Sequence, residues 1–101
     1  MKNNSDNKDY ISDSVIIESN PSELDAGRLE FYKQLGLKIA YYRKLSGMSQ
    51  LTLSEKINVS RTYMSNIESP TDRTNPTMNV IYSIAKTLNV PLSKLFDTDN
   101  F

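Results

Sequence analysis

The sequence predicts an all-α protein: five helices packed into one body, behind an acidic N-terminal arm. Three observations carry this. From Phe31 onward, apolar residues recur three and four apart, the spacing that keeps them on one face of a helix. Residues that start helices (Ser49, Ser60, Thr77) alternate along that stretch with residues that end them (Gly47, Asn58). The 101 residues suffice for one small core and not for two.

The arm spans residues 1–27 and the helical domain 28–101. Residues 1–14 are mostly Asn, Ser, Asp and Lys, too polar to offset the entropy lost on ordering, so they are expected to be disordered. Ser14-Val15-Ile16-Ile17-Glu18 is a short β-branched run, read as an apolar spot that touches the domain. The sharper alternative is an arm that pairs across a dimer or competes with a ligand for the basic face. Ser22 and Asp25 resemble a capping box, so a helix is expected near Glu23, weakened or interrupted at Gly27. The first full helix is expected over about Arg28 to Ser46, with Phe31, Leu35, Ile39 and Tyr42 as its apolar stripe. Gly47 supplies a left-handed stop.

Residues 49–69 read as two short helices around a tight turn. Ser49 caps the first, and Leu53 and Ile57 share its face. Asn58 tolerates positive φ and sits where the chain reverses. Val59 follows as a plug. Ser60 caps the second helix, whose Met64 and Ile67 face inward while Arg61, Thr62, Ser65 and Asn66 face out. The stretch from Ser69 to Pro76 is a loop bracketed by two prolines. Thr77 caps a further helix with Ile81, Ile84, Ala85 and Leu88 as its stripe, and Pro91 opens a last one through Phe96.

Composition removes several functions. With no cysteine and no histidine there is no disulfide, no thiolate or imidazole metal site and no His-based catalysis. No carboxylate cluster or Gly-rich phosphate loop replaces them, so an enzyme is not expected, nor a cofactor or small-molecule effector. No apolar run reaches membrane-spanning length, and a cytoplasmic protein is expected. The formal charge is zero, but unevenly spread: residues 1–30 carry seven acids and three bases, residues 31–101 five acids and nine bases. Phosphate binding needs local rather than global positive charge.

The pattern Gln50, Leu53, Ile57, Val59, Met64, Ile67, continued by Asn75-Pro76-Thr77, by Ile84 to Val90 and by Leu95-Phe96, resembles the helix-turn-helix of the Xre family, the lambda-repressor-like and Cro-like transcriptional regulators. The resemblance covers about two thirds of the chain, from Leu35 to Phe96. The run Ser60 to Glu68 is most similar to restriction–modification controller proteins and small repressors. Ser54 stands where the family usually has Ala, and Asn58 where it usually has Gly. The loop after Glu68 is longer than in most members.

The resemblance implies a homodimer on double-stranded DNA, with the helix 60–68 in the major groove of a palindromic operator. Arg61 suits the two acceptors of guanine, and Asn66 suits adenine. Thr62, Tyr63 and Ser65 complete the expected base contacts; a phosphate clamp for Arg61 and a core position for Tyr63 are the alternatives. Gln50, Ser49, Ser60, Arg73 and Thr74 are the expected phosphate contacts. The family pairs an Arg at position 43 with the Glu at position 68, so Arg43 and Glu68 are expected to be a structural ion pair. Leu92, Leu95 and Phe96 are the expected dimer contact, the alternative being that they close the core. A different class of function, a protein-interaction module of the antitoxin kind, would use the same fold.

Overall fold

The computed structural model describes residues 21–71 and 74–97. Among the described residues there are five helices and no strand: α1 Pro21–Leu45, α2 Gln50–Lys56, α3 Arg61–Glu68, α4 Met78–Leu88 and α5 Leu92–Leu95. The expectations for residues 1–20, including the β-branched run at 14–18, lie outside the described residues.

One stopping device ends α1, α2 and α4. Gly47, Asn58 and Asn89 each have positive φ, at 77°, 62° and 59°. In each case the next residue's N–H reaches back five positions: Met48 to the Arg43 carbonyl (3.2 Å), Val59 to Ser54 (2.9 Å) and Val90 to Ala85 (3.0 Å). This satisfies a carbonyl that the helix end would leave without a partner and turns the chain sharply. The helix starts are as uniform. Ser49, Ser60 and Thr77 sit in extended backbone, and their hydroxyls accept from the amides of Thr52, Tyr63 and Val80.

The core draws on every helix. Leu35 and Ile39 come from α1, Leu53 from α2, Met64 and Ile67 from α3, Ile81, Ile84, Ala85 and Leu88 from α4, and Leu95 from α5. Phe31 and Tyr42, at the ends of the α1 stripe, are half-buried against it. Ser54 is buried, and its hydroxyl donates to the Leu51 carbonyl at 2.7 Å. A small residue is thus accommodated where the packing between α2 and the turn is tight.

Two features differ from expectation. α1 begins at Pro21, seven residues ahead of the expected start of the first full helix at about 28, and runs unbroken through Gly27. Proline suits the first helical position because it lacks an N–H that the first turn leaves unbonded anyway. The second concerns the C-terminal apolar residues. Leu95 is 1% exposed and fills the core of its own subunit, so it has no surface to offer a second copy. Phe96 stacks on Phe31 with ring centroids 6.1 Å apart, and Leu92 is half-buried beside the core. Leu95 and Phe96 hold α5 on α1, because a four-residue helix cannot stay in place without such packing, while Leu92 and Phe96 keep part of their surface exposed.

Gly36 decides how closely α1 and α3 approach. A Cβ built there would lie 2.3 Å from the Ile67 carbonyl oxygen and 3.3 Å from the Glu68 Cα. Only a residue without a side chain lets the end of α3 rest on the α1 backbone.

Candidate nucleic-acid interface

The second helix of the unit, α3, has two unlike sides. Met64 and Ile67 are buried where α3 packs on α1 and α2, while Arg61 and Thr62 are exposed at its N-terminal end. Ser65 and Asn66, the next turn along, are half-buried. Tyr63, expected to reach outward, is half-buried against the core cluster. Its side chain is thus shared between core and surface.

Both ends of α3 are fixed. At its start the Ser60 hydroxyl accepts from the Tyr63 N–H at 3.0 Å. A hydroxyl that accepts this bond still has its own proton to donate, and Ser60 is exposed. At its end Glu68 accepts from Arg43 Nε at 2.7 Å and from Nη2 at 2.9 Å, a two-point grip on the planar guanidinium. Arg43 is 7% exposed and Glu68 8%. The third arm of Arg43, Nη1, donates to the Met48 carbonyl at 2.7 Å. One side chain thereby ties α1 to the α1–α2 turn and to the end of α3. The hydrogen bond to Glu68 is the main reason Arg43 holds its proton more firmly than a free guanidinium; burial opposes this, and the charge of Glu68 adds to it.

Gln50 belongs to the same network. Its Nε2 donates to Glu68 Oε1 at 3.0 Å, so the amide expected to reach for a phosphate is turned inward. A buried carboxylate carries more acceptor sites than Arg43 alone fills, which explains the direction. Ser49 is likewise engaged, donating to the Thr52 hydroxyl at 3.0 Å while accepting from the Thr52 amide. Thr52 is exposed beside it and is the hydroxyl at this helix start that sequence reasoning passed over. Its position one turn in from Ser49 was the available signal. Thr74 is half-buried, and Arg73 lies outside the described residues. The exposed tip of α3 and the start of α2 are therefore held by one buried ion pair at 43 and 68.

Comparison with known proteins agrees with this geometry. The helix-turn-helix family model HTH_3 matches residues 39–95. The immunity repressor protein of Bacillus phage phi105 is 34% identical over 61 residues, covering 60% of this chain and 41% of the repressor. The HTH-type transcriptional regulator SlrR of Bacillus subtilis is 37% identical over 65 residues, covering 64% of this chain and 42% of SlrR. The chain thus spans about two fifths of the length of these curated relatives. Among solved structures, SinR in complex with DNA superposes with a TM-score of 0.57 at 35% identity, over 62% of this chain and 98% of that one. The restriction–modification controller protein C.AhdI of Aeromonas hydrophila gives 0.60 at 25% identity, over 64% of this chain and 96% of the controller. A complex of SinR with SinI gives 0.57 at 35% identity, over 62% and 60%.

Proposed function

The chain belongs to the HTH_3 helix-turn-helix family, and from that premise we propose that it is a sequence-specific DNA-binding transcriptional regulator, acting as a dimer on a palindromic operator. In this reading α3 enters the major groove by its N-terminal end. Arg61 and Thr62 reach base edges first, and Ser65, Asn66 and the outer part of Tyr63 meet the groove one turn in. Ser60 donates its free proton to a phosphate, and Ser49, Gln50, Arg73 and Thr74 flank the backbone. Gln50 does so only by exchanging its bond to Glu68 for one to DNA.

The observation that carries the reading is the exposed pair Arg61 and Thr62 on a helix immobilised at both ends. Base discrimination needs side chains presented from a rigid element, since a mobile one would adapt to any base. The DNA complex of SinR, 35% identical over 62% of this chain, supports it. The experiment is fluorescence anisotropy on an operator duplex and on duplexes altered one base pair at a time. Arg61→Ala is expected to weaken the operator by roughly 1–3 kcal/mol and flatten the preference at one position. An equal loss on every duplex would reduce Arg61 to a phosphate contact.

A second reading, a protein-interaction module, has its support in the SinR complex with SinI. Affinity for DNA that is absent at low salt, together with tight binding of another protein, would favour it over the first.

A further inference from the structure

Much of the outer face of α1 is exposed, and it has the make-up of a contact surface; within the subunit its Lys38 pairs with Asp97 at 3.8 Å and its Glu30 accepts from Gln34 at 2.8 Å. Leu37, Tyr41 and Leu45 recur four apart there and are 45%, 60% and 70% exposed. Tyr41 is braced edge-on against Tyr42, with ring centroids 5.0 Å apart. The same face continues toward the N-terminus through Gln34, Glu30, Gly27 and Glu23, because residues three and four apart share a helical face. Gln34, Leu37, Lys38 and Tyr41 line a shallow depression of about 290 Å³ on it.

Size and charge divide this face into two unlike halves. The N-terminal half is small and acidic: Glu23, Gly27 and Glu30. The C-terminal half is large, apolar and basic: Leu37, Lys38, Tyr41, Lys44 and Leu45. Among the described residues nothing packs against Gly27. A Cβ there would meet nothing within 4 Å, and its φ is not in the left-handed region, so neither crowding nor backbone geometry calls for glycine. Glycine in a helix interior is unfavourable relative to alanine, which makes its presence informative.

We propose that a second copy of this chain docks antiparallel along the outer face of α1, with the two-fold axis passing beside Gln34, so that Tyr41 of each copy seats over Gly27 of the other and Lys38 of each faces Glu30 of the other. An antiparallel pair crossing at Gln34 matches each residue with the one equally far on the other side. Glu30 then meets Lys38, Gly27 meets Tyr41, and Glu23 meets Leu45 with Lys44 beside it. The large side chains fill the space left by the small ones, and Lys38 exchanges its 3.8 Å contact with Asp97 for Glu30 of the other copy. A surface that complements itself in this way is what a two-fold interface requires. A foreign partner would have no reason to mirror both patterns. The inference rests on the dimeric reading above and supplies the surface that buried Leu95 cannot.

The test is sedimentation equilibrium of the full chain. The unaltered protein is expected to dimerise. Glu30→Lys and Lys38→Glu are each expected to weaken the dimer about tenfold, since the two-fold makes each change count twice. Carrying both changes in one chain restores the pairs and is expected to recover the dimer. A mixture of the two single variants is expected to form mixed dimers in preference to either alone. Gly27→Gln is expected to leave helicity and thermal stability intact or higher while abolishing dimerisation. A protein that is monomeric throughout, a dimer indifferent to Gly27→Gln, or a double charge swap weaker than both single ones would overturn the proposal. DNA binding is read separately by anisotropy. A monomer that binds a half-site duplex sinks the interface and leaves the DNA reading standing; a dimer that binds no duplex does the opposite.

Discussion

Removing the carboxylate of Glu68 should be among the most damaging single changes in the chain. Three hydrogen bonds converge on it, from Arg43 at 2.7 and 2.9 Å and from Gln50 at 3.0 Å. Glu68→Ala leaves Arg43, a buried residue in the native fold, with only the Met48 carbonyl among these partners. An exposed ion pair contributes about 0–1 kcal/mol, because water replaces the lost partner. Here water has little access, so the larger figure applies: about 3–5 kcal/mol for a buried charge stripped of its counterion. For a domain of this size that corresponds to a fall in melting temperature on the order of 15–30 °C. The assay is urea denaturation followed by circular dichroism, with the melting curve as a second readout. Glu68→Gln keeps the shape and part of the hydrogen bonding and should lose less. Arg43→Met combined with Glu68→Leu should recover most of the stability, because two apolar residues leave no charge unpaired. A loss below about 1 kcal/mol for Glu68→Ala would place the pair with surface salt bridges and refute the reasoning.

Other outcomes follow from the same packing. Gly36→Ala should destabilise by about 1–3 kcal/mol although alanine is the better helix former, since its Cβ must displace the Ile67 carbonyl 2.3 Å away; a stabilised variant in urea titration would show that the helices have room to separate. Asn58→Ala should lose about 1–2 kcal/mol, because a side chain with no local hydrogen bond is strained at φ 62°, whereas Asn58→Gly should be close to neutral. Arg61→Ala should leave the urea midpoint unchanged, its side chain being exposed, so that any change in DNA affinity reports contact and not folding.

The fold was legible because each helix announces its limits locally. Ser49, Ser60 and Thr77 cap, Gly47 and Asn58 stop, and the three- and four-residue spacings place Leu35, Leu53, Met64, Ile67, Ile84 and Leu88 inside. Asn89 uses the same stop, and its position before Val90-Pro91 was a signal that went unused. What was not legible depends on distance between elements. Gly36 reads as a weak helix residue until α3 is laid across it. Gln50 has a choice between solvent and the remaining acceptor site on Glu68 Oε1, eighteen positions away, and no local pattern decides it. Leu95 looks like surplus apolar surface when counted along a four-residue helix. It becomes core once α1, α4 and α5 are packed together. α1 runs through Gly27 because the intrinsic preference of one glycine is small beside the cooperativity of a 25-residue helix.

The central claim is that the outward side of α3 distinguishes base pairs. Selecting bound duplexes from a random pool with the purified chain, at several salt concentrations, tests it most directly. The account predicts enrichment of two inverted half-sites whose centres lie about 34 Å apart along the duplex, with affinity falling steeply as salt is added. A pool that emerges without sequence preference at every ionic strength would contradict it.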